Sequence, residues 1–364
     1  MNVSTQKTVL VMAGGTGGHV FPALAVAQEL RAKNYRIVWL GTRKGIEARL
    51  VPAANIPIEW LPVSGLRGKG VLTLLLAPIR LLRALVSALH AFNRIRPSVV
   101  LGMGGFASGP GGVVAWLKRI PLVVHEQNAI AGFTNRVLSR FAARVLVAFP
   151  GTLSKKENVV GNPVRGDVIA IPQPSERFAQ REGALRILVL GGSLGARALN
   201  ETVPQALREA GLELDVLHQC GRGDADSIHR AYSQAGVNAR VERFIDDMAS
   251  AYAWADVAIC RAGAMTVFEL AAAGLGAILV PFPYAVDDHQ TANARYLADV
   301  QAAVILQENE MSPARLAATL REIGNREQLA RMAQNARGQS RPAATHDVAA
   351  ACMALADAVA GGAA

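Results

Sequence analysis

Apolar, β-branched runs recur along the chain and alternate with helical patterns. They lie at 8–13, 35–40, 98–101, 121–125, 144–148, 185–190, 214–219, 256–260 and 277–281. Short apolar runs bounded by turn residues predict strands buried on both faces. Their alternation with helices predicts an α/β fold of parallel sheets and crossover helices. Two runs pass straight into glycine-rich loops: Gly14-Gly15-Thr16-Gly17-Gly18-His19, and Gly191-Gly192-Ser193-Leu194-Gly195-Ala196-Arg197. Each reads as strand, glycine turn and helix N-terminus. Glycine lets backbone approach a ligand closely, and the amides at a helix start attract negative charge. Two such units almost half a chain apart predict two similar halves, suited to a phosphorylated donor in one and an acceptor in the other.

Segment 71–96 carries a different pattern. Arg80, Arg83, Ser87, His90 and Arg94 fall on one helical face, and Pro78, Leu81, Leu82, Leu85, Leu89 and Phe92 on the opposite one. That pattern fits a crossover helix with its apolar stripe on a sheet. The preceding apolar run at 71–76, which includes Leu75 and Leu76 and is flanked by Arg67 and Lys69, adds a second reading. Apolar residues rimmed by cations suit a membrane surface, where each Lys or Arg near an anionic leaflet contributes roughly 1 kcal/mol. Trp116, Lys118 and Arg119 are candidates to extend the patch.

Charge sharpens the division into halves. The net charge of +10 combines 20 Lys+Arg against 5 Asp+Glu in residues 1–162 with 18 against 23 in the remainder. Such separation predicts that the N-terminal half meets something anionic: a membrane surface, nucleic acid or a phosphorylated substrate. Few aromatics and no nucleic-acid-binding module speak against nucleic acid. The three scattered cysteines predict neither a disulfide framework nor a metal cluster, consistent with a reducing compartment. A polar N-terminus and the lack of a long apolar stretch predict neither a signal peptide nor a membrane span. The turn-rich Gly161-Asn162-Pro163-Val164-Arg165 places the boundary between a domain at 1–162 and one at 163–341. An Ala-rich helical tail at 342–364 is free to pack back on either.

Several chemistries are readable at single positions. His19 starts the helix after the first glycine loop. The positive helix end disfavours imidazolium, so His19 is expected to be neutral near pH 7 and able to accept a proton, or else simply to cap the helix. A nicotinamide site is not supported: the second strand ends Trp39-Leu40-Gly41-Thr42-Arg43, with no carboxylate before Glu47. No Walker motif occurs. The glycine cluster 102–112 reads either as a second phosphate cradle or as close helix–strand packing. Asp224-Ala225-Asp226 and Asp287-Asp288-His289 read as helix N-terminal caps rather than metal ligands.

The motif at 14–25 (GGTGGHVFPALA), Gly65-Leu66-Arg67-Gly68-Lys69-Gly70, His125-Glu126-Gln127-Asn128, Gly161-Asn162-Pro163-Val164-Arg165, the second glycine loop and the motif at 261–269 (RAGAMTVFE) together resemble the MurG family of N-acetylglucosaminyltransferases. The resemblance runs in order from about residue 8 to residue 300. It implies a GT-B type fold, with two Rossmann-like domains whose parallel sheets face a central cleft. The activity it implies is transfer of N-acetylglucosamine from UDP to the 4-hydroxyl of lipid-linked muramoyl-pentapeptide, with inversion and without metal or other cofactor. Peptidoglycan synthesis, cell-wall biogenesis, cell shape and cell division follow, as does a peripheral place on the cytoplasmic face of the inner membrane. The N-terminal domain would take the acceptor and the membrane, the C-terminal domain the UDP-sugar.

Carried over by position, donor contacts fall on Thr16, Gly17, Gly18, Asn128, Arg165, Ser193, Ile245, Ala264, Met265, Thr266, Val267, Phe268, Glu269 and Gln290. Catalysis falls on His19, with Glu126 or His125 to orient or replace it. Leu75, Leu76, Arg80 and Arg83 would form the membrane patch. Leu194, Met265 and Phe268 depart from the family's usual residues. The alternatives are a UDP-sugar epimerase on the same plan and a transferase to another lipid acceptor.

Overall fold

The computed structural model describes residues 6–62, 77–153, 156–192 and 195–361. Leu75, Leu76, Ser193, Leu194 and the motif at 65–70 lie outside the described residues. The chain divides into two compact units, Met1–Pro163 with Ala343–Ala364, and Val164–Pro342.

The first unit holds a seven-stranded parallel sheet of β1 (Thr8–Met12), β2 (Arg36–Gly41), β3 (Ile58–Trp60), β4 (Val99–Gly102), β5 (Leu122–Glu126), β6 (Arg144–Val147) and β7 (Asn158–Val159), in the order β3-β2-β1-β4-β5-β6-β7. Both faces are covered. Val9 and Val11 point into one core with Val26, Leu30 and Trp39, while Leu10 and Met12 point into another with Phe92, Val100 and Leu138. This two-sided burial is why β1 reads as an unbroken apolar run. The tail helix Ala344–Gly361 belongs to this unit: Val348, Ala349, Cys352 and Ala356 enter the first core, and Asp357 accepts from Lys7 and Tyr35, each at 2.7 Å.

The second unit holds β8 (Leu185–Leu190), β9 (Leu214–Gln219), β10 (Asn238–Glu242), β11 (Val257–Cys260), β12 (Gly276–Leu279) and β13 (Ala303–Ile305), in the order β10-β9-β8-β11-β12-β13. In both sheets the order reverses beside the strand that ends in a glycine loop: between β1 and β4, and between β8 and β11. In open parallel sheets, ligands bind at such reversals, beyond the carboxyl ends of the strands.

Helix Ala77–Ile95 differs from the sequence expectation. Its sheet-facing stripe is Ala84, Ala88, Ala91, Phe92 and Ile95, whereas Leu81, Leu82 and Leu89, expected on the sheet, are exposed with Ile79 and Val86. Alanines let the helix lie close to the neighbouring helix Ser108–Leu117, and the bulkier leucines turn outward. Arg80 and Arg83 are exposed on the same helix. Among the described residues no helix is long and apolar enough to cross a membrane.

Candidate active site

Around the first reversal, two loops interlock. A Cβ on Gly105, which has a φ of 86°, would collide with the Gly14 carbonyl. A Cβ on Gly104 would stand 2.7 Å from Cδ2 of His19. The cluster 102–112 therefore serves close approach at this end, and Gly111 and Gly112 serve helix packing on Met12 and Leu138. Thr16 occupies the N-cap of helix Gly17–Ala32 with extended backbone, and its Oγ1 lies 3.2 Å from Nδ1 of His19. Gly17, Gly18 and His19 are half-buried at the helix start, the first two presenting N-terminal amides.

The structure corrects the role expected for Glu126. It is 1% exposed at the end of β5. Its Oε1 accepts from the Asn128 N–H (3.0 Å) and Nδ2 (3.3 Å), and its Oε2 from the Gly132 N–H (3.1 Å) and Asn135 Nδ2 (2.9 Å). Four donors occupy the carboxylate, so it braces the loop that carries Asn128 and presents no lone pair to a substrate. His125 is sealed in the same way. Its Nε2 lies 2.9 Å from the Gly161 carbonyl and its Nδ1 accepts from Gln127 Nε2 (3.0 Å). Burial pushes its pKa down to about 4, against smaller opposing effects of the Gly161 carbonyl and Glu126, so it is neutral and inaccessible near pH 7. Of the histidine and carboxylate candidates in this unit, only His19 stands at the ligand-facing end of the sheet with solvent access.

The second unit brings its candidates to the carboxyl ends of β8, β10, β11 and β12. After β8, Gly195 packs on the loop that follows β9: its Cβ would stand 2.7 Å from the Cys220 carbonyl, and a Cβ on Gly221 would meet the Gly192 carbonyl at 2.5 Å. A buried relay fixes this crossing. His218 Nδ1 pairs with the Tyr232 hydroxyl (2.9 Å) and its Nε2 with Asn200 Oδ1 (3.0 Å), while Asn200 Nδ2 donates to the Cys220 carbonyl (3.2 Å). Burial holds His218 neutral, with its pKa lowered to about 4.

Helix Ala264–Ala273 starts after β11 with Gly263 as N-cap, and its first backbone hydrogen bond runs from the Val267 N–H to the Gly263 carbonyl (3.0 Å). The amides of Ala264, Met265 and Thr266 thus form an anion-attracting end. Val267 and Phe268 depart from the expectation of substrate contact. Their side chains are buried, Phe268 stacked on Tyr296 with ring centroids 5.0 Å apart, and the Val267 amide is used inside the helix. The Phe268 departure from the family pattern is therefore a packing change.

Glu269, one turn on, accepts from the Tyr252 hydroxyl (3.0 Å) and lies 3.9 Å from Arg165 Nε. Burial raises its pKa, and Arg165 and Tyr252 oppose the shift. Ile245 is half-buried in the loop after β10. Gln290, in the first turn of helix His289–Ala298, accepts the Phe282 N–H through Oε1 (2.9 Å), which directs its amide nitrogen to serve as donor. Asp224 is a helix cap, accepting from the Asp226 N–H at 3.2 Å. Among the described residues no three His, Cys, Asp or Glu side chains converge as metal ligands.

Glu47 and the His218–Asn200–Tyr232 relay belong to no motif in the chain, and Arg261, the first residue of the motif at 261–269, donates to the Val280 and Pro281 carbonyls. One signal was available for Glu47: it is one of 5 acidic residues among the first 162 and stands between Gly41, Gly45 and a helical pattern.

Residues 9–147 match the N-terminal domain of glycosyltransferase family 28, and residues 186–348 its C-terminal domain. The chain belongs to glycosyltransferase family 28. Within family 28 it is 55% identical over 353 residues to the UDP-N-acetylglucosamine–N-acetylmuramyl-(pentapeptide) pyrophosphoryl-undecaprenol N-acetylglucosamine transferase of Aeromonas hydrophila, covering 96% of this chain and 97% of that one. The enzyme of the same name from Marinobacter nauticus is 53% identical, with 97% and 99% covered. The crystal structure of Acinetobacter baumannii MurG superposes with a TM-score of 0.86 at 44% identity, covering 96% of this chain and 99% of that one. The family-28 chain is thus of the MurG type, with the GT-B fold of two Rossmann-like units.

Proposed function

We propose that the protein transfers N-acetylglucosamine from UDP-N-acetylglucosamine to the 4-hydroxyl of undecaprenyl-diphospho-muramoyl-pentapeptide, releasing UDP, at the cytoplasmic face of the inner membrane. The observation that carries this reading is the near full-length identity to enzymes of that name, joined to a second unit whose glycine loop and helix N-terminus meet at one sheet reversal. In the first unit His19 acts as the base. His19, whose Nδ1 lies 3.2 Å from Thr16 Oγ1, takes the acceptor's proton on an imidazole nitrogen. The sugar C1–O bond to the diphosphate breaks as the acceptor oxygen bonds C1 from the opposite face, inverting the anomeric centre.

In the second unit, charge developing on the diphosphate is met by the amide end at 264–266 and by the second glycine loop, including Ser193, so the departing group is stabilised without a cation. Arg165 adds positive charge beside them. Glu269 accepts from ribose hydroxyls, Ile245 contributes backbone to the uracil, and Gln290 donates to a sugar hydroxyl. In the first unit, Thr16, Gly17, Gly18 and Asn128 are the substrate contacts.

The test is a transfer assay with sugar-labelled UDP-N-acetylglucosamine, the lipid-linked acceptor and chelator. Label is expected in the lipid fraction at an undiminished rate with chelator present. Label retained as an altered water-soluble UDP-sugar would favour the epimerase reading. Glu269→Ala is expected to weaken UDP binding by about 1.5–3 kcal/mol, the usual range for hydrogen bonds to a charged group, with kcat little changed. Calorimetry reads this directly, and unaltered affinity would remove Glu269 from the ribose.

Membrane contact rests on the exposed Ile79, Leu81, Leu82, Val86 and Leu89 beside exposed Arg80 and Arg83. Apolar side chains enter the interface while the cations meet anionic headgroups. Replacing Leu81 and Leu82 together by Glu is expected to lower binding to anionic vesicles at least about tenfold, given roughly 1.5–3 kcal/mol per buried leucine. UDP affinity should stay unchanged. Unchanged vesicle binding would return this helix face to a purely solvated role.

A further inference from the structure

The two glycine loops look alike in sequence, and both were expected to present amides to phosphate. The structure separates them. In the first, the Gly15 N–H donates to Oε2 of Glu47 at 2.9 Å. Oε1 of the same carboxylate accepts from the Thr42 N–H (3.0 Å) and hydroxyl (2.7 Å). Glu47 is 0% exposed, and among the described residues no Lys, Arg or His forms an ion pair with it. Its side chain lies in a glycine-lined cradle: a Cβ on Gly14 would stand 2.6 Å from Oε1, and one on Gly45 would overlap the carboxylate.

Burying an unpaired carboxylate is costly, and backbone and hydroxyl donors offset that cost only while the loop keeps this shape. The geometry therefore ties the carboxylate and the loop to each other. The fixed point is one residue before Thr16, whose hydroxyl contacts Nδ1 of His19. From the other side of the sheet reversal, Ser108 Oγ donates to the Met12 (3.0 Å) and Gly104 (2.8 Å) carbonyls, and Gly104 sits against the His19 ring. The loop is held from both sides, and the Gly15 amide is already used.

We infer that Glu47 is a positioning residue for His19: its buried carboxylate fixes the first glycine loop so that the imidazole meets the acceptor hydroxyl, and the loop presents a base rather than binding phosphate through Gly15. This rests on the reading of His19 as the base. Glu47→Gln sets an amide donor against the donors of Gly15 or Thr42. Glu47→Asp keeps the charge but cannot span both partners. Near-attack geometry is steep enough that such a displacement costs about tenfold to hundredfold in rate.

The experiment is a double-mutant cycle in the transfer assay, combining Glu47→Gln with His19→Ala in the full-length protein, with Glu47→Asp as the second variant should the first not fold. Glu47→Gln alone is expected to lower kcat about tenfold or more, with donor KM and UDP affinity unchanged. In the His19→Ala background it should cost less than about twofold, since residues acting through one another are non-additive. A merely structural lesion would cost the same in both backgrounds, which would overturn the role of Glu47 while leaving His19 in place. Full turnover by His19→Ala alone would overturn the base assignment and this inference with it.

Discussion

Replacing His19 by alanine is expected to lower kcat by about 10²–10⁴-fold, the usual contribution of a positioned general base. The acceptor hydroxyl is a poor nucleophile until its proton leaves, and neither of the other two candidates, His125 and Glu126, is open to take it. His125 is sealed between Gly161 and Gln127, and Glu126 is occupied by four donors. The loss should fall on kcat and leave UDP affinity intact, because the groups proposed for the diphosphate, ribose and uracil belong to the second unit and His19 to the first. Steady-state kinetics at saturating donor, with calorimetry of UDP, separates the two quantities. Turnover within about threefold of the unaltered protein would remove His19 as the base.

Asp256→Ala is expected to destabilise the second unit by about 3–5 kcal/mol, the cost of breaking a buried ion pair from one side. Asp256 is 0% exposed at the start of β11. Its Oδ1 meets Arg181 Nη1 at 2.7 Å, its Oδ2 accepts from the Arg186 N–H of β8 at 3.0 Å, and Arg326 lies 3.7 Å away. Arg181 is itself enclosed, and burial lowers its pKa while Asp256 opposes that shift. Without Asp256 its charge stays buried with only carbonyl partners. The pair lies at the amino ends of β8 and β11, away from the proposed donor site, so UDP affinity of the remaining folded protein should be unchanged. Thermal unfolding with and without UDP reads both effects. Asp256→Asn, which can keep the Arg186 bond, should lose less than alanine, and a loss below about 1 kcal/mol for Asp256→Ala would show that the pair contributes little.

Much of this molecule was legible in the chain. Each of the nine strands read from apolar runs exists, because a strand covered on both faces is apolar at most of its positions. Both glycine loops stand where their motifs placed them, at the reversals of the two sheets. The family followed from motif order; His19 and Gln290 lie in the first turns of their helices, Arg165 is an N-cap, and Glu269 lies in the second turn of its helix. The strands that escaped notice, β3, β7, β10 and β13, are short or polar edge strands. Their identity comes from pairing with a neighbour rather than from their own composition.

Three matters were decided only by the tertiary structure. Hydrophobicity ranks leucine above alanine, yet helix Ala77–Ile95 buries its alanines and exposes Leu81, Leu82 and Leu89, because its close packing on helix Ser108–Leu117 admits small side chains. Glu126 reads as a catalytic carboxylate until its four donors are seen, and donors contributed by a folded loop have no signature in a motif. Glu47 stands 32 residues from the Gly15 amide that it holds. The sequence determined which segments become strands, where the glycine turns fall and which family chemistry they resemble, since those follow from local composition and order. Which polar atoms are already occupied depends on contacts between distant segments, and the folded structure alone decides that.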